Sequence, residues 1–227
     1  MCTIGKLAEK LVAEEVQGHE ELWHQAAFAG RKGRGAIDSV MLAKTMLEEN
    51  EGLRMVGWDI KSAFNGLRKD ITVNILAKHE LLQQWVAEFL CPRTIEIWVD
   101  GKRAHTTTMI AGTPQGSPLS PSLFSIYASE MVWRAQREQQ QQIQQSRAAL
   151  RPQMVLVRAH VFPLSYIDDI NALVPRTVKT ATWHKYLQKA AQSVQLKWDE
   201  AKDWEGVSVG QVAWCVASYS NATKQLG

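Results

Sequence analysis

The stretch Ser-Tyr-Ile-Asp-Asp-Ile at 165–170 decides the reading of this chain. Two apolar runs, residues 162–167 and 170–174, are separated only by the acidic pair Asp168-Asp169. That pattern predicts a tight β-hairpin with carboxylates at its tip. Asp-Asp is a permissible turn pair and not a favoured one, so a solvated turn and a functional tip both stay open for this segment alone. Far upstream, Val-Gly-Trp-Asp-Ile-Lys-Ser-Ala-Phe-Asn at 56–65 sets Asp59 directly after a short apolar run whose one polar break is Arg54. Between the two lies Gly-Thr-Pro-Gln-Gly-Ser-Pro-Leu-Ser-Pro at 112–121.

Together the three segments look like the active site of a template-copying polymerase. Phosphoryl transfer to a growing strand uses two divalent metals about 4 Å apart, one activating the attacking hydroxyl and one at the leaving pyrophosphate. Such hard cations take oxygen ligands, and Mg²⁺ uses one or two protein carboxylates with water and phosphate oxygens. Asp59 and Asp168, each predicted at the end of a strand, are residues of that type.

The chain resembles a reverse transcriptase of the non-LTR, LINE-like retrotransposon class over residues 2–202. The resemblance runs from an N-terminal helix, Ile-Gly-Lys-Leu-Ala-Glu-Lys-Leu at 4–11, through Ala-Phe-Ala-Gly-Arg-Lys-Gly-Arg-Gly-Ala-Ile-Asp at 27–38, to the three segments above. Tyr-x-Asp-Asp alone is a weak signature; the proline- and glycine-rich segment at 112–121 is a strong one, and the combination is close to diagnostic. The resemblance implies an RNA-directed DNA polymerase that extends a DNA primer on an RNA template with deoxynucleoside triphosphates. Its cofactor would be two Mg²⁺ ions, with Mn²⁺ as a substitute.

The resemblance also implies roles. Asp59 and Asp168 correspond to the metal-bridging carboxylates, Asp169 to the supporting one, and the Ile60 carbonyl to a further metal ligand. Phe64 corresponds to a steric gate against a 2′-hydroxyl; a core Phe at a strand-to-helix junction is its plain alternative. Gln115 and Gly116 belong to the segment beneath the templating base and incoming nucleotide, where glycine permits close approach of backbone and Gln115 offers amide donors without charge. Tyr166 corresponds to a residue beside the primer terminus, or to a core tyrosine. Lys202 resembles a lysine placed as general acid near the pyrophosphate, although the chain continues Lys-Asp-Trp where the family more often has Lys-Thr-Glu. Asn65 stands where many relatives carry another Asp.

The loop Gly-Arg-Lys-Gly-Arg-Gly at 30–35 is basic and glycine-rich. Arg31, Lys32 and Arg34 either form a solvated turn or contact template phosphates; the resemblance favours the second. It is not a nucleoside-triphosphatase loop, because the Gly-Lys-Ser/Thr ending is missing.

Composition sets outer limits. Hydrophobic content of 45% and charged content of 22% over 227 residues fit a globular chain with one good core, and a net charge of +3 permits a nucleic-acid partner without demanding one. Cys2, Cys91 and Cys215 have no metal-type spacing and read as free thiols. The histidines at 19, 24, 79, 105, 160 and 184 form no zinc-like cluster in sequence. No stretch approaches about eighteen uncharged apolar residues, so the expectation is a soluble, intracellular protein without a membrane partner. The resemblance adds the nucleus. The scattered tryptophans are best explained by packing.

Periodicity predicts a helix with Ile4, Leu7, Leu11, Val12 and Val16 inward, and another with Ile37, Val40, Met41 and Leu47 inward. Residues 67–90 read as helix, Asp100-Gly101 as a hairpin turn, residues 118–137 as helix, and the polar run 137–146 as a helix extension or surface loop. Residues 178–194 read as helix and 196–198 as a last strand. The expected fold is α+β, a polymerase palm whose antiparallel sheet is backed by helices, with partial fingers at 1–52. The palm would span 53–205, with an insertion-like polar stretch at 137–152, followed by a tail at 206–227. Against the resemblance, basic fingers residues and a thumb look absent. A catalytically silent remnant that at most binds nucleic acid is therefore the alternative, and an RNA-copying RNA polymerase, which has no need of a gate such as Phe64, is a distant third.

Overall fold

β1 (Leu53–Asp59) becomes progressively more buried toward Asp59 and lies inside a four-stranded antiparallel sheet of order β4-β5-β1-β6. The other strands are β4 (Phe162–Tyr166), β5 (Asp169–Pro175) and β6 (Trp204–Val207). The computed structural model describes residues 3–114, 116–149, 162–166, 169–177, 179–198 and 204–207. Strand alternation sends Val56, Trp58, Ile170, Ala172 and Val174 to a large core, and Leu53, Met55, Leu164, Leu173 and Tyr166 to a smaller one on the opposite face.

The large core is organised by α6 (Ser120–Ala149). Leu119, Leu123, Phe124, Ile126, Tyr127, Met131 and Val132 are all fully buried, as the predicted inward positions Leu123, Ile126, Tyr127 and Met131 require. The helix runs on through the polar stretch, where Glu138 pairs with Lys189 and Gln142 accepts the Tyr186 hydroxyl at 2.9 Å. Both partners lie on α7 (Thr180–Ser193), so of the two forms predicted for 137–146 the helix extension is the one observed. Tyr127 donates to the Val194 carbonyl at 2.5 Å, and burial pushes its phenol up to about 12.

The smaller core is closed by α2 (Ala36–Glu49), through Ala43 and Leu47. Both helices form where periodicity indicated, and of the expected inward residues Val16 and Leu47 are buried and Val12 and Val40 pack against the cores, while the others are not. In α1 (Thr3–Gly18) the buried residues are Glu9, Ala13 and Val16, whereas Ile4, Leu7 and Leu11 are exposed; in α2, Ile37 and Met41 are exposed. A second set of apolar positions on each helix competes for the inside, and a buried polar contact at Glu9, described below, decides the choice for α1.

Residues 67–90 form two helices, α4 (Lys69–Ile75) and α5 (Glu80–Phe89), after a single turn α3 (Ala63–Gly66). The break at 76–79 keeps the apolar phase, with Leu76, Leu82, Val86 and Leu90 all buried, which is why periodicity did not reveal it. The hairpin of β2 (Arg93–Val99) and β3 (Lys102–Met109) turns at Asp100 and Gly101, both at positive φ as a type I′ turn needs. Among the described residues the last strand is β6 and not residues 196–198, which contribute an isolated bridge between Ile60 and Trp198. β6 also crosses the boundary expected at residue 205. No helix among the described residues is long and apolar enough to cross a membrane.

The segment before the basic loop is tied to the sheet. His24 is buried; its Nδ1 accepts the Ala26 amide at 3.0 Å, which leaves Nε2–H to donate to Gln136 at 2.9 Å. Ala26 and Phe28 then bond both sides of Ser165 in β4, making a parallel bridge between Ala27 and Ser165. Burial holds the His24 imidazole below its usual 6.5. The unfolded chain binds that proton more readily, so the contribution is whole above pH 6.5 and is lost as pH falls through the lower folded value. Thermal unfolding midpoints measured across this range should therefore drop on acidification more for the wild-type chain than for His24→Gln; equal slopes would contradict the assignment.

Candidate active site

Asp59 ends β1 directly opposite Asp169, the first residue of β5. Opposed residues on antiparallel strands carry their Cβ atoms about 4.5–5.5 Å apart on one face, and like charges so placed repel. Asp59 is only 9% exposed while Asp169 is exposed, so one carboxylate is held in the fold and its partner faces solvent. A hard divalent cation relieves this repulsion, and the oxygen donors fit one of the Mg²⁺ type. Strand alternation places Asp59, Asp169 and Tyr166 on the face of the smaller core, at the strand ends. The hairpin is one residue out of step with expectation: Tyr166 pairs with Asp169, which puts Asp169 in the strand. The side chain of Asp168 lies outside the described residues, as do Gln115 and Lys202.

Beyond Asp59, the Ile60 side chain is buried in the large core. The Lys61 amide donates to the Lys197 carbonyl at 2.8 Å. Ser62 adopts a left-handed conformation that starts α3, and Phe64 follows, half-buried with its ring 5.5 Å from that of Phe124. Phe64 therefore packs as a core residue would, which does not conflict with a gate presented by its remaining exposed edge.

Residues 64–67 are laced to the glycine-rich segment. Gly112 donates to the Leu67 carbonyl at 2.8 Å and Thr113 to the Phe64 carbonyl at 2.9 Å. Gly112 has φ of +88°, and a Cβ there would stand 2.7 Å from both Asn65 Cα and the Phe64 oxygen. Gly116 also has a φ that suits glycine, +82°, and a Cβ there would meet nothing within 4 Å, so its side is open.

Two buried contacts hold the segment from below. Arg93 donates to the Gly112 carbonyl at 3.0 Å, and Ser117 donates to Glu9 at 2.5 Å while its hydroxyl oxygen accepts the Leu119 amide at 3.2 Å. Burial lowers the Arg93 guanidinium and the Glu9 carboxylate pulls it back up. The residues missed by sequence reasoning are thus Gly112, Glu9 and Arg93. Gly112 stood inside a recognised motif; a glutamate in an amphipathic helix gave no signal that it would be the buried face.

The basic loop sits beside this segment. Gly30, at φ +65°, approaches the Pro121 backbone so closely that a Cβ would lie 3.0 Å from it, and its carbonyl accepts the Ser122 hydroxyl at 3.1 Å. Arg31 pairs with Glu20, and burial, then the neighbouring Arg34, lowers its pKa. Arg34 donates to the Gln25 carbonyl at 2.6 Å and lies over the Phe28 ring, while Lys32 is exposed. The loop is thereby fixed between the start of α6 and the β4 edge, with two of its three cations engaged inside the chain.

Gly112→Ala should lower stability by about 3 kcal/mol, because strained φ and backbone overlap coincide there, whereas Gly33→Ala, strained but in open space, should cost about 1–2 kcal/mol. Denaturant melts of the two variants measure this; equal costs would contradict the lacing.

A family model described as reverse transcriptase (RNA-dependent DNA polymerase) matches residues 1–205. The RNA-directed DNA polymerase from the mobile element jockey of Drosophila funebris is 26% identical over 212 residues, covering 87% of this chain and 21% of that protein. Its Drosophila melanogaster counterpart is 46% identical over 46 residues, 20% of this chain and 5% of that protein. This chain thus spans at most about a fifth of the length of these relatives. Among solved structures, telomerase from Candida tropicalis in complex with a fragment of telomeric RNA superposes with a TM-score of 0.52 at 12% identity, covering 89% of this chain and 33% of that one, a likeness of fold.

Proposed function

The chain belongs to the reverse transcriptase family, on its LINE-like retrotransposon branch, and from that premise we propose that it is the polymerase unit of such an element. It adds deoxynucleotides to the 3′-hydroxyl of a DNA primer on an RNA template and releases pyrophosphate. The observation that carries the reading is the in-register opposition of Asp59 and Asp169 across β1 and β5. In the division that suits this reading, 1–52 are part of the fingers and 53–207 the palm, whose end the extent of β6 moves from the expected 205. Action in the nucleus follows on the same family ground.

Asp59, Asp168 and Asp169, with the Ile60 carbonyl, would hold two Mg²⁺ ions, whose chemistry there would be Lewis-acid activation of the primer hydroxyl and neutralisation of the leaving pyrophosphate. Phe64 lies under the sugar and excludes a 2′-hydroxyl, and Gln115 and Gly116 lie under the base and incoming nucleotide. Tyr166 borders the primer terminus. Arg31, Lys32 and Arg34 face template phosphates, with Lys32 making the most exposed contact, and Lys202 protonates the pyrophosphate as it leaves. The backbone bonds from Gly112 and Thr113 to Leu67 and Phe64 support this reading, because they join the segment that carries Phe64 to the glycine-rich segment.

Primer extension on an RNA template, with Mg²⁺ and deoxynucleotides, tests the activity. The wild-type chain should extend and Asp168→Asn should fall to background. Extension retained by the variant would overturn the metal-ligand role, and no extension by folded wild type would favour the silent-remnant reading. Phe64→Ala should relax discrimination against ribonucleotides while keeping deoxynucleotide extension; unchanged discrimination in an active variant would remove the gate.

A further inference from the structure

Among residues other than the carboxylates of the candidate active site, the fold assembles a cluster that sequence spacing hides. His19 precedes the 3₁₀ turn Glu20–Leu22, Glu21 lies within it, and His79 sits at the head of α5. Glu21 Oε1 is 3.5 Å from His19 Nδ1 and 3.2 Å from His79 Nε2, and one ligand atom from each residue falls within 4.8 Å of the others. The spacing of the histidines in sequence gives no sign of this group, because residues distant along the chain meet only when the end of α1 and the turn between α4 and α5 come together.

We propose that His19, Glu21 and His79 form a site for a first-row divalent cation of the Zn²⁺ class, separate from the polymerase carboxylates. A tetrahedral centre with bonds of about 2.0–2.1 Å sets its ligand atoms about 3.3 Å apart, the spacing found on both sides of Glu21. Two imidazole nitrogens with one carboxylate oxygen suit Zn²⁺, Co²⁺ or Ni²⁺ and not Mg²⁺. A second observation points the same way: His19 Nε2, the nitrogen turned away from the cluster, is 3.5 Å from Glu15 Oε1. Metal-binding histidines characteristically offer their other N–H to such a carboxylate, which fixes tautomer and ring orientation. The site is reachable, since the Glu21 side chain is 60% exposed and that of His79 14%, leaving the outer position to water. With three protein ligands and an open fourth position, the cation clips the end of α1 to the α4–α5 turn.

The test is calorimetric titration of Zn²⁺ into the metal-stripped 227-residue chain without a histidine tag, in excess Mg²⁺, with Co²⁺ absorption as a second readout. One saturable site is expected, weakened roughly tenfold or more by His79→Gln or Glu21→Gln and unchanged by His105→Gln on the exposed β3 strand. Zn²⁺ should raise the thermal midpoint of the wild-type chain and leave that of folded His19→Gln/His79→Gln unmoved. No saturable binding, or binding that survives the double substitution, would overturn the site.

Discussion

The pairing of β1 with β5, Leu53 against Pro175 through to Asp59 against Asp169, is the constraint on which the rest of the structure depends. A slip of one residue would turn every side chain of one strand to the other face. Val56, Trp58 and Ile170 would leave the core around α6, and Asp59 would no longer face Asp169. The same apolar alternation that secures the fold therefore sets the distance between two carboxylates that repel one another. The favourable burial along the strands offsets the unfavourable contact at their end.

The glycine-rich segment and the loop after β1 act as one body for a related reason. Backbone bonds from Gly112 and Thr113 to residues 67 and 64 need an approach that only glycine allows, and Arg93 and Glu9 hold that body from the core side. The helix α6 then begins from a fixed point, and Gly30 packs on its first turn. The residues after β1, the glycine-rich segment and the basic loop share a frame of buried and partly buried polar contacts, each costly to leave half made.

Much of this was legible in the sequence. Apolar runs ending in Asp59 and flanking Asp168-Asp169 pointed to β1, β4 and β5, Asp100-Gly101 to the outer hairpin, and the spacing of Leu123, Ile126, Tyr127 and Met131 to the core helix. The rest was hidden where long-range contacts overrule local pattern. The inward face of α1 follows Glu9 and its bond to Ser117 instead of the stripe of Ile4, Leu7 and Leu11. The turn between α4 and α5 preserves apolar phase and so leaves no trace in periodicity. β6 contains a glycine and spans four residues, too short for alternation to register. The role of Gly112 needed the position of Asn65, and the meeting of His19 with His79 needed the packing of two helical units.

The central claim is that the strand ends of β1 and β5 hold a divalent cation. Replacing Mg²⁺ with Fe²⁺ and mapping oxidative cleavage of the backbone tests it directly. The account predicts cuts both near residue 59 and near residues 168–169, suppressed by excess Mg²⁺; cuts at the histidine cluster would not be suppressed in this way. Absence of Mg²⁺-suppressible cleavage at either strand end would contradict it.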